Sequence, residues 1–284
     1  KVFKGSAGYF PLLAQVVPRA LRHRYFFFPD EWFQTQLDSD EFSVGDFNRF
    51  SAGNLLEKSH LAAVTTLVRI ERWADAMCAM HDATNFPGFA SAFRGLIENG
   101  GDSIDGLLNL ANALAKNHRI LTRALAGNIE TDFLDCSEIE QPLDHYIHAG
   151  WTGKKHKSDP VLTAKANAEY VKQIETALPG VVTLYHRLCA IVHPSNASID
   201  WLFDFNESGD FRIMLATNDA AKIDSICDQY PEAADITIQA TCNVALLVLH
   251  VLHKFHIHPQ IPELRNLNYN AVKAASEAKA LLRS

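Results

Sequence analysis

The strongest constraint on this fold is a periodic run of mostly apolar residues that begins after Asn54. That spacing aligns the residues on one face of a long α-helix. Charged residues such as Glu57 and Arg69 fall on the other faces, as is typical of a helix with one side in solvent. The chain is therefore expected to build its core from packed helices. The members of the run recur every three or four positions: Leu56, His60, Ala63, Leu67, Ile70, Ala74, Met77 and His81.

Comparable apolar stripes recur over most of the remaining chain. They predict further helices near residues 87–99, 103–125, 160–178, 181–193, 231–257 and 262–283. Gly100 and Gly101 are predicted to end the first of these helices. Residues 201–216 differ, because two short apolar runs flank a turn containing Gly209, a pattern typical of a β-hairpin. The predicted fold class is mainly all-α: a helical bundle with one β-hairpin insert.

Composition excludes several classes of protein. Apolar residues make up 48% and charged residues 21% of the chain, as in a soluble globular protein. The formal net charge of -7 excludes a chain-wide basic surface for nucleic acid, although not a local basic patch. The most apolar run, 236–252, is interrupted by polar residues and shorter than the roughly 20 residues of a membrane span. Five scattered cysteines favour a reducing compartment. We therefore expect a cytoplasmic protein with no membrane partner.

The chain is predicted to have three parts. Residues 1–52 form an N-terminal arm or short helices rich in aromatic and basic side chains, residues 53–257 form the helical domain, and residues 258–284 form a C-terminal helix packed on that domain. Two interpretations of the arm remain open. Its aromatics either strap across the core, as large aromatics usually do, or contact a partner chain.

Arg187 and His193 form the sharpest local candidate for a chemical site. Arginine is a permanent cation that matches phosphate oxygens, and histidine exchanges a proton near neutral pH, so together they suit RNA cleavage by the neighbouring 2′-hydroxyl. Six residues span about 600° of helix, which leaves the two side chains about 120° apart. They converge only if the helix distorts before Pro194 or if a second chain completes the site. The alternative is a surface arginine and a histidine that caps the helix C-terminus.

The segment around this motif, 184–195, together with 93–98 on an earlier helix, resembles the HEPN superfamily, in particular a bacterial branch, over roughly residues 54–257. The resemblance implies a metal-independent endoribonuclease of toxin, anti-phage or RNA-processing type, without a cofactor, that dimerises so that two motifs share one cleft. It implies Arg187 and His193 as the catalytic pair and Glu98 as an auxiliary acidic residue. Arg94 and His186 are the nearest candidates for binding substrate.

A basic group in a glycine-containing connection adds to the candidate substrate-binding set. Lys154, Lys155 and Lys157 follow an acidic stretch and could contact RNA phosphates. The alternative is a solvated loop. RNA, a second copy of the chain and an antitoxin or regulatory partner are the expected partners.

Two other functions remain open at this point. A non-catalytic HEPN-like module that binds a nucleotide or a protein partner is favoured by the acidic net charge and by Leu188 directly after Arg187. A metal-dependent enzyme could use His250, His253, His256 and His258 near the end of a predicted helix, since residues three apart share a helix edge. Neither a Glu-x-x-His pair nor a His-Glu-x-x-His signature accompanies them, so structural histidines are favoured and no metal is predicted. His60 and His81 are likewise predicted to be core histidines.

Overall fold

A computed structural model describes residues 3–38, 42–150, 160–205, 212–214, 218–265 and 273–283. This part of the chain is mostly helical, as predicted. Its α-helices are α1 (Tyr9–Ala20), α2 (Asp30–Leu37), α3 (Val44–Asp82), α4 (Phe86–Leu107), α5 (Leu110–Lys116), α6 (His118–Leu125), α7 (Ser137–His148), α8 (Asn167–Val171), α9 (Val181–Val192), α10 (Ala197–Asp200), α11 (Asp219–Gln229), α12 (Ala233–Leu252), α13 (Pro262–Arg265) and α14 (Lys273–Leu281).

Two three-residue strands lie within the segment predicted to be a hairpin. Strands β1 (Phe203–Phe205) and β2 (Arg212–Met214) pair antiparallel, with Phe203 opposite Met214. Residues 206–211 and 215–217 lie outside the described part of the chain. The complete hairpin insert therefore stays a prediction.

Helix α4 continues through Gly100 and Gly101, where the sequence pattern predicted an end. A Cβ atom at Gly101 would lie 2.4 Å from the backbone oxygen of Tyr170 in α8, so glycine is needed there for close approach of two backbones. The prediction was wrong because a glycine pair that can end a helix can also serve as a packing surface inside one. In contrast, the helix predicted from residue 160 onward shortens to α8 and a following 3₁₀ turn (Lys172–Ile174).

The chain divides into two compact units, each assembled from distant segments. Unit 1 comprises residues 1–11, 68–104 and 165–242. Within it, α9 packs against α8 and α10. Its fully buried large side chains come from several helices: Ile70, Met77, Phe89, Phe93, Leu96, Ile97, Leu184, Leu188, Ile226 and Ile238.

Unit 2 comprises residues 12–67, 105–164 and 243–284. Within it, α5 packs against α6, α7 and α14. Asn48 pins the acidic segment after α6 to α3, because its buried amide donates to the Ile129 and Asp132 carbonyls and accepts from the Leu134 N–H. The buried apolar side chains of this unit include Leu13, Val16, Leu56, Leu67, Leu107, Leu114, Leu121, Ile139, Leu143 and Val248.

The N-terminal aromatic residues are partly packed. Phe28, Trp32 and Phe50 form a ring cluster, with centroids 4.4 to 5.4 Å apart. Phe26 is 69% exposed. Phe28 and Trp32 thus pack against α3, as in the first interpretation of the arm, whereas Phe26 lies in solvent. The boundaries of the three predicted parts stay a prediction.

One described segment, Ala233–Phe255, is long and apolar enough to cross a membrane by length and composition, with a mean hydropathy of 1.6. Within the fold, 67% of its most apolar window is buried. The same length and burial are found in the core helix of a soluble protein.

The contact at Gly101 yields a stability prediction. Gly101→Ala should lower the free energy of unfolding by about 1–3 kcal/mol or more, because the new methyl group meets backbone atoms that cannot rotate away. Gly53→Ala in α3 is the matched control, since a Cβ there meets nothing within 4 Å. It should stabilise the protein by up to about 1 kcal/mol. Urea denaturation measures both, and equal effects would contradict this account.

Asp235, at the start of α12, provides a pH-dependent prediction. Its buried carboxylate accepts from the Ser6 backbone N–H at 2.6 Å and from Gln239 Nε2 at 2.8 Å. Burial raises the pKa of Asp235, but these hydrogen bonds and one from Gly5 outweigh it, so the pKa is lowered. The carboxylate therefore stabilises the fold above its unfolded pKa of about 3.9 and loses that effect as the pH falls through the lower folded pKa.

Asp235→Asn should therefore lower the free energy of unfolding by about 1–2 kcal/mol at neutral pH. The difference from wild type should shrink below about pH 4, where the wild-type carboxylate becomes protonated. Denaturation over a pH series measures it. A difference that is independent of pH would contradict the assigned hydrogen bonds.

Candidate functional site

A polar cluster centred on Glu98 lies in unit 1. Glu98 Oε1 accepts hydrogen bonds from Arg94 Nε, Asn167 Nδ2 and Tyr185 Oη, each at 2.9 Å. Arg94 Nη1 also lies 2.9 Å from His193 Nε2. We call these five residues the Glu98 cluster. It brings together three residues predicted to act in the site, namely Arg94, Glu98 and His193.

Helix α4 supplies the acid and the base of this cluster on one face. Arg94 and Glu98 are four residues apart, so their side chains lie one above the other and form an ion pair. The Arg94 side chain is 19% exposed and that of Glu98 24%. The pair is therefore accessible to a ligand, yet it is less exposed to solvent than an ion pair on the surface.

The N-terminus of α9 is fixed by a carboxylate cap. Gly180 adopts φ 87°, a left-handed conformation that glycine adopts without strain. The Glu175 carboxylate accepts from the Gly180 and Val182 backbone N–H groups at 2.8 and 3.1 Å. An anion at this position also interacts favourably with the helix dipole. This cap sets the position of Tyr185, one turn into the helix.

The C-terminus of α9 places His193. The residue before a proline is pushed out of the helical region, and His193 accordingly has φ -85° and ψ 151°. Its N–H still donates to the Cys189 carbonyl at 2.8 Å. The distortion expected before Pro194 therefore occurs, and it places the imidazole against Arg94 rather than along the helix.

The contact between Arg94 and His193 fixes the state of the imidazole. A guanidinium can only donate, so His193 Nε2 must accept, and the neutral ring carries its proton on Nδ1. Two of the five guanidinium N–H groups are used in these contacts, which leaves three for a ligand. The fork of Arg94 can thus receive an oxyanion beside a nitrogen lone pair.

Local electrostatics keep Arg94 charged and Tyr185 protonated. Burial lowers the pKa of Arg94, but the hydrogen bond and charge of Glu98 outweigh it and raise that pKa. Burial, a hydrogen bond with Cys189 and the Glu98 charge all raise the pKa of Tyr185. The phenol therefore acts as a hydrogen-bond donor that orients the carboxylate.

Arg187 lies in different surroundings. Its guanidinium donates to Gln229 Oε1 at the end of α11. Among the described residues no contact joins Arg187 to His193, so the pairing implied by the HEPN resemblance is not formed within one chain. Its formation through a second copy stays a prediction.

The remaining predicted site residues are placed as follows. His186 is exposed, and its ring centroid lies 5.6 Å from that of Tyr185. Lys154, Lys155 and Lys157 lie outside the described residues.

Two members of the Glu98 cluster were not predicted. Tyr185 lies within the segment 184–195, but nothing in its local sequence indicates that its hydroxyl group donates to Glu98 on another helix. Asn167 lies at the start of α8, and its position could be found only with the fold. The spacing of Arg94 and Glu98 was the one signal in the sequence.

A cavity of about 870 Å³ also lies in unit 1, away from the predicted residues. Its lining includes the apolar side chains Phe89 and Phe93 and the acidic residues Asp82, Asp224 and Asp228. Three carboxylates repel a phosphate, so this cavity does not suit an RNA backbone. In the Glu98 cluster, by contrast, the Arg94 guanidinium can donate hydrogen bonds to an anion.

Two of the four histidines predicted as alternative metal ligands, His250 and His253, contact backbone groups. His250 Nδ1 lies 3.3 Å from the Leu264 carbonyl oxygen, and His253 Nε2 accepts from the Ile261 N–H at 3.4 Å. Burial lowers the pKa of His250. His60 is buried as predicted, whereas the His81 side chain is 53% exposed near the end of α3, so its assignment to the core was wrong.

Comparisons of the chain with protein-family models, curated proteins and solved structures found no match. Function must therefore be argued from the side chains themselves.

The hydrogen bonds of Glu98 predict that two substitutions lower the free energy of unfolding by different amounts. Tyr185→Phe removes one donor and should lower the free energy of unfolding by about 1 kcal/mol. Glu98→Ala should cost about 2–3 kcal/mol, since it leaves three donors, one of them charged, without their acceptor. Chemical denaturation measures both values. A Glu98→Ala protein as stable as wild type would contradict the central role of this carboxylate.

Proposed function

We propose that this protein is a cytoplasmic, metal-independent endoribonuclease of HEPN-like type whose reacting groups are His193 and Arg94. The observation that carries the proposal is the 2.9 Å contact between Arg94 Nη1 and His193 Nε2. It sets a permanent cation beside a neutral imidazole at an exposed helix end. These are the two groups that cleavage by the 2′-hydroxyl requires.

In the first step, an RNA phosphodiester replaces His193 as the hydrogen-bond partner of Arg94. A phosphodiester oxygen accepts from Arg94, as guanidinium forks bind phosphate. The His193 Nε2 lone pair is thereby released from Arg94. The imidazole can then accept a proton.

Cleavage follows as an internal transesterification. His193 Nε2 takes the proton of the 2′-hydroxyl, the 2′-oxygen bonds to phosphorus, and the bond from phosphorus to the 5′-oxygen breaks. The departing 5′-oxygen takes a proton from water. Arg94 stabilises the extra negative charge on the phosphorane oxygens. The product is a 2′,3′-cyclic phosphate, and no metal is needed.

Glu98 acts as a positioning residue for Arg94. Asn167 and Tyr185 fix its carboxylate, which in turn fixes the guanidinium through Nε. A rigid fork binds a phosphate with little loss of side-chain freedom. This is the auxiliary role that the resemblance implies for an acidic residue.

The HEPN-like part of the proposal extends to the assembly. The resemblance implies a homodimer with a shared cleft and a toxin, anti-phage or RNA-processing role, with an antitoxin or regulatory partner, and the sequence pattern adds the β-hairpin insert. In such a dimer the partner copy's motif would approach the same cleft, and Lys154, Lys155, Lys157 and His186 would contact RNA.

A second candidate function is non-catalytic binding of a nucleotide or protein partner. Two observations favour it: Arg187 is engaged by Gln229, and Leu188, which follows it, is completely buried. The exposed Arg187 is thus held by another side chain, and the residue after it belongs to the core of unit 1. Under this function Arg94 would bind a phosphate without any subsequent cleavage.

Loss of His193 is the first test. His193→Ala should lower the rate of cleavage of single-stranded or transfer RNA by about 10²–10⁴-fold in the presence of a chelator. His81→Ala is the matched control, because it removes an exposed histidine elsewhere in unit 1 that has no proposed role, and it should retain most activity. Detection of 2′,3′-cyclic ends identifies the reaction. Wild-type protein that leaves these RNAs uncut with and without metals excludes the nuclease.

The identity of the phosphate-binding arginine is the second test. Arg94→Ala should remove cleavage and RNA binding, whereas Arg187→Ala should leave more than half of the single-chain activity, since Arg187 contacts Gln229 instead. The opposite order would contradict the assignment of Arg94. RNA or nucleotide binding that depends on Arg94 without any cleavage would establish the second candidate function.

A further inference from the structure

Three histidines from distant parts of the chain converge in unit 2. His23 follows α1, His60 lies on α3, and His258 follows the 3₁₀ turn after α12. Their ligand nitrogens all lie within 4.8 Å of one another. The His60 and His258 rings stack at 4.3 Å, and the His23 ring lies 5.0 and 5.1 Å from them. Convergence of three imidazoles is the pattern of a transition-metal site.

His258 provides an independent sign that a ligand is required. Its side chain is completely buried. Neither ring nitrogen has a hydrogen-bond partner among the described residues. A buried polar group without a partner costs about 1–3 kcal/mol, so proteins rarely retain one without a purpose. A bound cation would use one of the two nitrogens.

Groups around the three rings are placed as a metal site requires. His60 Nδ1 lies 2.9 Å from Tyr25 Oη. The hydroxyl oxygen can accept a hydrogen bond from Nδ1–H, which leaves the Nε2 lone pair for an ion. Glu57, one turn before His60 on α3, lies 2.7 Å from His23 Nε2 and 3.7 Å from His258 Nε2. A carboxylate is thus already beside two of the three imidazoles.

Burial favours the neutral form of two of the three rings, those of His60 and His258. Burial, together with the charges of neighbouring histidines, lowers the pKa of His60 to about 2 and that of His258 to about 3. Their lone pairs are consequently available at neutral pH. If the three imidazoles were protonated instead, their like charges would lie a few ångströms apart and repel one another.

We propose that His23, His60 and His258 bind one divalent transition-metal ion, with Zn²⁺ as the best match, and that Glu57 is the fourth ligand. Neutral imidazoles favour zinc over calcium or magnesium, which prefer oxygen ligands. In a tetrahedral zinc site neighbouring ligand atoms lie about 3.3 Å apart. The ligand nitrogens of the three histidines, within 4.8 Å of one another, need to shift by only about an ångström or so to reach that separation.

The ion has a structural role. Four protein ligands close the coordination sphere, as in structural zinc sites, and leave no position for substrate. The ion ties the segment after α1, the middle of α3 and the segment after α12 to one another within unit 2. This site is separate from the Glu98 cluster and does not depend on nuclease activity.

Metal content and thermal stability test the proposal. Untagged full-length protein should carry or take up one zinc per chain, and Co²⁺ in its place should give the intense visible bands of a four-coordinate ion. Zinc at about one hundred times its dissociation constant should raise the melting temperature by about 5 °C or more, and a chelator should reverse the shift. A wild-type protein that binds neither ion would overturn the proposal.

Variants assign the ligands. His258→Asn and His60→Asn should lose the bound zinc and its thermal shift, whereas His148→Asn, an exposed histidine of the same unit, should keep both. Glu57→Gln, at a side chain 19% exposed, should weaken zinc binding at least about tenfold without unfolding the protein. If the histidine variants fail to fold, Glu57→Gln and the wild-type cobalt spectrum still decide. Unchanged zinc affinity in Glu57→Gln together with His258→Asn would contradict the site.

Discussion

One carboxylate oxygen holds the candidate nuclease site together. Glu98 Oε1 accepts from a guanidinium, an amide and a phenol, and these donors come from α4, α8 and α9. A half-buried carboxylate with three donors is a low-energy arrangement, whereas any one of those donors alone would leave it under-satisfied. The orientation of Arg94, and through it the contact with His193, therefore depends on helix packing that places all three donors at once.

The two units use polar clusters of opposite character. The Glu98 cluster in unit 1 has a fixed cation, an exposed imidazole and unused N–H groups, so its chemistry suits an anion. The histidine cluster in unit 2 has three convergent imidazoles beside the Glu57 carboxylate, so its chemistry suits a cation. The two clusters thus suit ligands of opposite charge.

Sequence periodicity could predict most of the helical framework, because burial of one face imposes a spacing on the residues themselves. The long helix α3 and the short α9 follow from such stripes, and Pro194 predicted the distortion that releases His193. Contacts between distant residues could not be predicted this way. Arg94 and His193 are 99 positions apart, and the partner of Arg187 lies on α11. His23, His60 and His258 are also distant in sequence, so no local spacing joins them and their convergence could not be predicted.

The central claim is that Arg94 donates to His193, and side-chain ¹⁵N NMR of the imidazole tests it most directly. At mildly alkaline pH the account predicts a neutral His193 ring protonated on Nδ1, with Nε2 accepting from Arg94. Arg94→Ala should change the Nε2 signal, whereas Arg187→Ala should not. A ring protonated on Nε2, or an Nε2 signal that is indifferent to Arg94, would contradict the account.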